Sequence, residues 1–275
     1  MNKRKLLTLA LTLCMVAILA IGGTMAYFTD TDQQKNVFTT GNVQIDLFED
    51  FAGSEENPAK LMPTTGKDTD GKQIKGIEKE VYVENEGTEA AYVRVHIAIP
   101  DIIDSGAKDN PALNASDNIV HFNMAKESIA AGKWSWLPTY TTGVGYEGNG
   151  EGNWNVYETT IGQIDYNVYV VTYRTALKGA VEGQANDVTP DAIWQVYMDV
   201  NTTNEQITTI KETLGNNWNI YVAAEGCQEQ GFANAYEALN TTFGDPQDAD
   251  YETKVDWSKA AEGDVIKEMT SSKGF

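Results

Sequence analysis

Short stretches with a repeat of two dominate the pattern of apolar and polar positions along this chain. Val43, Ile45 and Leu47 alternate with Asn42, Gln44 and Asp46 directly after Gly41, the period of a strand with one buried face. Residues 50–76 lose this period and are rich in Gly, Pro, Ser, Asp and Lys, which predicts a loop. Val81 and Val83 then share a face of a strand over 80–84. Val93, Val95, Ile97 and Ile99 share a face of a strand over 92–99, with Tyr92, Arg94 and His96 on the other. The intervening Asn85-Glu86-Gly87-Thr88 has turn chemistry, so these two strands are expected to form a hairpin.

Residues 118–124 predict a short strand, and Trp134 and Trp136 mark a strand edge. After a Gly-rich loop over 141–153, strands are expected at 154–160 and 165–173; the second is dense in Tyr and Val, as central strands are. Residues 193–200 put Trp194, Val196, Met198 and Val200 on one face of another. The period then changes. Ile207, Ile210 and Leu214 predict a helix over 203–214, with Gly215 as its C-cap. A strand over 218–224 follows. Phe232, Tyr236, Leu239 and Phe243 form a helical stripe within 228–243, stopped by Gly244 and Pro246. The tail from Gln247 is acidic and weakly patterned. Many short strands with two or so peripheral helices predict a mainly β, antiparallel sandwich; a jelly-roll-like arrangement is one member of that class.

The first residues follow other rules. Lys3, Arg4 and Lys5 precede an apolar run from Leu6 to Ile21, then Gly22-Gly23 and the small-x-small pattern Thr24-Met25-Ala26. This order predicts a secretory signal peptide over 1–26 with cleavage after Ala26. The run is shorter than the ~20 residues that span a bilayer, which favours cleavage over anchoring. Residues 27–40 are polar and irregular, with apolar bulk only at Tyr27, Phe28, Val37 and Phe38. The domain proper is expected over 41–275.

The formal net charge is −20, and loss of the signal makes the remainder more acidic still. That argues against nucleic acid or anionic lipid as partners. It also makes copies repel one another at low salt, so any assembly needs strong short-range contacts. Of the two cysteines, Cys14 leaves with the signal and Cys227 remains, so no intramolecular disulfide is expected.

Candidate chemistry is sparse. His96 and His121 are the two histidines, and no H-E-x-x-H pair exists. His96 is expected on an outward face, solvated or hydrogen-bonded. Cys227 reads as a small buried thiol rather than a nucleophile. Asp68-Thr69-Asp70-Gly71 opens like a calcium loop, but Lys79 stands where the closing bidentate Glu is needed, so a turn is expected. Trp134, Trp136, Trp154, Trp194 and Trp218 suit a carbohydrate platform or a core, and the core is the simpler reading. No catalytic residue, metal or cofactor is expected.

Several blocks carry a likeness to a known family. Ala26-Tyr27-Phe28-Thr29-Asp30 after the signal, and Asn36-Val37-Phe38-Thr39-Thr40-Gly41-Asn42-Val43-Gln44-Ile45-Asp46-Leu47, resemble the TasA/camelysin family. So do Val83-Glu84-Asn85-Glu86-Gly87 leading to Ala91-Tyr92-Val93-Arg94-Val95, and Ala224-Glu225-Gly226-Cys227-Gln228 leading to Gly231-Phe232-Ala233-Asn234-Ala235-Tyr236-Glu237-Ala238. Leu239 departs from the Trp expected after Ala238. The resemblance implies a jelly-roll subunit of extracellular biofilm matrix fibres, processed by a SipW-type signal peptidase. It also implies self-assembly by donor-strand exchange, alone or with other matrix components. The donor would be Tyr27 to Phe38, with Gly41 near the hinge. The family includes members described as metallopeptidases, so a secreted metallopeptidase is one alternative; a surface module binding glycan or protein is another.

Overall fold

The computed structural model describes residues 41–51, 59–64, 76–104, 119–123, 133–139, 154–216, 218–257 and 268–271. The chain divides into two compact units, residues 1–40 and 41–275, and every described strand and helix lies in the second.

Eleven strands form two sheets among the described residues. They are β1 (Ile45–Phe51), β2 (Ile77–Asn85), β3 (Ala91–Pro100), β4 (Val120–Asn123), β5 (Trp134–Ser135), β6 (Val156–Ile161), β7 (Ile164–Tyr173), β8 (Asp187–Val188), β9 (Ile193–Met198), β10 (Tyr221–Gln228) and β11 (Glu268–Ser271). One sheet has the order β1-β2-β9-β4, with β8 also on β2. The other has the order β11-β10-β3-β7-β5, with β6 also on β7. Neither is closed into a barrel. Two helices are peripheral: α1 (Asn204–Leu214) and α2 (Ala235–Phe243).

The expected hairpin between the second and third strands does not form. β2 pairs with β1 and β9, whereas β3 pairs with β10 and β7, in the opposite sheet. Residues 86–90 therefore arch from sheet to sheet. Alternation identifies which residues share a face and says nothing of which strand lies alongside. The return connection from β7 to β9 follows the same arch: Ala91 and Leu177 exchange backbone hydrogen bonds, Ala180 N donates to Gly87 O, and Thr189 N donates to Val83 O. A tight hairpin instead joins β6 and β7 through Gly162 and Gln163, and Gly162 takes a left-handed φ of 67° there.

The inner faces of both sheets share one apolar core. Ile45, Leu47, Val81, Val83 and Ile193 meet Val93, Val95, Ile97, Val171 and Val222. The outer face of the six-stranded sheet is buried as well. α2 packs over Tyr92 and Cys227, while Val255 and Trp257 cover Ala98, Val168 and Ala223.

The first helix lies where its pattern predicts. Thr203 Oγ1 accepts from Gln206 N, and Gln206 Oε1 accepts from Thr203 N, a reciprocal cap. The second begins later than residue 228, because β10 runs on to Gln228 and Asn234 Oδ1, accepting from Glu237 N, starts the helix. β11, within the weakly patterned tail, had no signal in the sequence.

Candidate functional site

Three places on the sandwich combine chemistry-bearing residues with geometry that constrains what they can do.

The first is the point where the chain enters the domain. Before β1 begins, residues 41–44 are held against the arch between β2 and β3. Gln44 O accepts from Glu86 N at 2.8 Å and Gly87 N at 2.9 Å, and Asn42 O accepts from Glu89 N at 3.2 Å. Thr88 Oγ1 accepts from Asn42 N at 3.1 Å, and Gln44 Nε2 donates to Glu86 Oε2 at 2.7 Å. Val43 is buried. The fully buried Asn85 organises the arch from within: Nδ2 donates to Glu89 O at 2.8 Å and Lys178 O at 3.1 Å, and Oδ1 accepts from Gly87 N at 3.0 Å. The fit leaves no room at Gly87, where a Cβ would lie 2.5 Å from Asn42 O and Gln44 N. Gly41 itself is exposed and takes no left-handed φ; the Glu89 side chain fills the space a Cβ would need.

The second is the outer edge of β10. One side of β10 pairs antiparallel with β3. On the other, β11 pairs in parallel, Ala224 opposite Glu268 through Cys227 opposite Ser271. Among the described residues, every other strand pair is antiparallel. β11 also approaches β1, the edge strand of the opposite sheet. The two edges close on each other at Gly226, where a Cβ would lie 2.9 Å from the Ile45 side chain.

The third is a charged cluster on the covered face. Arg94 Nε donates to Glu225 Oε2 at 2.5 Å, across the β3–β10 pair, and both side chains are at most 1 % exposed. Arg94 also donates from Nη1 to Asn240 Oδ1 at 3.0 Å and to Gly244 O at 3.2 Å, both at the end of α2. His96 Nε2 lies 3.1 Å from Glu225 Oε2 without the alignment of a hydrogen bond. His96 Nδ1 lies 3.1 Å from Tyr157 Oη, which in turn donates to Thr253 Oγ1 at 3.1 Å. Burial lowers the His96 pKa despite the neighbouring carboxylate. Burial acts to raise the pKa of Glu225, but His96 and Arg94 outweigh it and hold the carboxyl below its ordinary value. The ion pair at the centre of the cluster is Arg94–Glu225, and His96 borders it.

These geometries fix the other candidates. His96 is not solvated, because α2 and residues 244–257 cover the face it points to. His121 Nε2 lies 3.2 Å from Asp199 Oδ2, and its ring stacks on Tyr197. Cys227 is buried under α2, and burial pushes its thiol up to about 12, which suits a packed side chain and not a nucleophile. Trp134 and Trp136 are core residues, with Trp154 and Trp218 packed against that core. Among the described residues, no three of His, Cys, Asp and Glu converge on a metal site.

Ala26, Tyr27, Phe28, Val37 and Phe38 lie outside the described residues, as do residues 68–71. Sequence reasoning missed the Arg94–Glu225 pair and the cover over it. The available signal was Ala98, a small residue on the same face of its strand as Tyr92, Arg94 and His96.

Comparison with known proteins finds no match: no family model, no curated protein and no solved structure is similar enough to place this chain in a family.

Proposed function

We propose that this chain is an exported structural subunit that polymerises by donor-strand exchange into extracellular matrix fibres. Residues 27–38 of one copy add as a strand to the sandwich of the next. The observation that carries the reading is the clamp on residues 41–44. A segment that leaves its own domain to pull on another needs a fixed root, and Asn42–Gln44 provide one through backbone bonds to Glu86, Gly87 and Glu89. The division of the chain after Thr40 supports the same boundary.

The sandwich is read as an open jelly roll. Two strand pairs, β2 with β9 and β3 with β7, cross from sheet to sheet together along the 86–90 arch and the 174–192 return. Such a roll leaves strand edges at its seam. The TasA/camelysin resemblance, SipW-type processing and secretion belong to this same proposal.

The test compares a purified chain beginning at Tyr27 with one beginning at Thr39, by electron microscopy after incubation at high concentration. The longer chain is expected to form filaments and the shorter to stay monomeric. Filaments from the shorter chain would refute donor exchange.

A further inference from the structure

The donor-strand reading, on which this inference rests, leaves open where the incoming strand binds and what holds that place beforehand. We propose that the outer edge of β10, residues 224–227, is the strand-acceptor surface, that β11 occupies it in the single chain as an exchangeable plug, and that residues 27–38 of a second copy displace it.

Four observations converge. The β10 edge lies at the seam between the sheets, beside β1, so a strand there completes one sheet while closing the core. What lies there now is, among the described residues, the one strand paired in parallel, and parallel pairing is the slightly weaker kind per residue. Its sequence, Glu268-Met269-Thr270-Ser271, contains one large apolar residue. The competing segment has a pair at each end, Tyr27-Phe28 and Val37-Phe38, so a four-residue stretch of it can bring two. A filler of that kind protects the edge from indiscriminate pairing and yields to a strand that buries more.

The location also fits a polymer. Ile45, just after the clamped residues 42–44, touches Gly226 in the middle of the acceptor edge. Each copy therefore presents the root of its donor segment beside its own acceptor. The charge of the chain gives copies no long-range attraction, so exchange proceeds through backbone pairing and side-chain burial.

The register supplies a reversible lock. Cys227 lies directly opposite Ser271, and neighbouring strands are about 4.8 Å apart, within the range a disulfide bridges. In a chain beginning at Tyr27, Cys227 is the only thiol. Ser271→Cys, oxidised with diamide during refolding so that Cys227 is reached before α2 covers it, should bond to Cys227 and pin the plug. The locked protein is expected not to elongate wild-type filament seeds, and reduction with dithiothreitol should restore elongation. A second variant, terminated after Lys267, lacks the plug. Its assembly lag should shorten by about tenfold or more, the factor that corresponds to roughly 1.4 kcal/mol of lost competition.

Normal elongation by the oxidised variant overturns the proposal, as does an unchanged lag in the truncated one or failure of the bond to Cys227 to form. The donor reading is separable. If the chain beginning at Thr39 makes no filaments while the locked chain elongates normally, donor exchange stands and the plug falls. If the chain beginning at Thr39 makes filaments, both fall.

Discussion

β2 and β3 carry the same alternation into opposite sheets, yet their outer faces differ completely. Along β2, Val81 and Val83 point inward while Glu78 and Glu80 are exposed. Along β3, every residue is buried, including Tyr92, Arg94, His96 and Ala98 on the outer side. The difference lies in what the later chain lays over each face. α2 and residues 244–257 cover β3 and its neighbour β10. A covered face must satisfy its polar groups internally, and Arg94 does so through Glu225, Asn240 and Gly244. Strand period therefore reports which residues share a face; side-chain size and charge pairing report whether that face stays wet.

The largest expected effect breaks the covered face. Glu225→Ala leaves Arg94 buried without its counter-charge, which should cost about 3–5 kcal/mol. Glu80→Ala removes a carboxylate from the exposed face and should change stability by less than about 0.5 kcal/mol. Urea unfolding followed by tryptophan fluorescence measures both. Similar losses for the two variants would mean that the cover does not exclude water.

A second comparison sets the interior against the cover by pH. Asp104, buried near the inner face of β7, accepts from Tyr169 Oη at 2.8 Å and Asn167 Nδ2 at 3.2 Å. Burial raises its pKa from 3.8 to about 7, against the lowering effect of those two donors. The folded state thus binds this proton more tightly than the unfolded state. Its contribution is complete below about pH 4 and is lost as pH rises through about 7. His96 acts in the opposite sense. Its folded pKa is depressed below 6.5, so its contribution is present above pH 6.5 and is lost on acidification. In the wild-type chain the two slopes oppose each other between those limits. Asp104→Asn should uncover the His96 slope, so that stability falls on acidification below pH 6.5 by at most about 1.4 kcal/mol per pH unit. Chemical denaturation at several pH values reads this directly. An unchanged pH profile would assign Asp104 an ordinary pKa.

The sandwich and the first helix were legible because each residue answers to its immediate surroundings. Val93, Val95, Ile97 and Ile99 alternate because their sheet has two faces, and Thr203 with Gln206 caps a helix through contacts three residues apart. The arch was not legible. Asn85 and Gly87 look like hairpin residues, but their geometry is set by Asn42, Gln44 and Lys178, far away in sequence. The same holds for Arg94, whose partners Glu225 and Asn240 arrive only when β10 and α2 pack. The first strand was legible because apolar alternation starts after Gly41. β11 was illegible because a four-residue strand of mixed polarity has no period to read.

The smallest expected effect separates the two helices. α1 contributes Ile210 and Leu214 to the core between the sheets, whereas α2 covers Cys227 on the outer face. Each begins with a side-chain cap, Thr203 and Asn234, and loss of either cap to Ala should cost about 1 kcal/mol. Global stability alone would not distinguish them. Thiol labelling under native conditions does, because Cys227 reacts only when α2 lifts or the whole domain unfolds. Asn234→Ala destabilises the cover itself, so labelling of Cys227 should accelerate by about fivefold, the factor equivalent to about 1 kcal/mol. Thr203→Ala loosens an element that does not touch Cys227. Its labelling rate should stay near that of the wild type wherever α2 opens more often than the domain unfolds. Equal acceleration in both variants would mean that cover and interior open as one unit, and that the contrast between the two faces is one of composition and not of local stability.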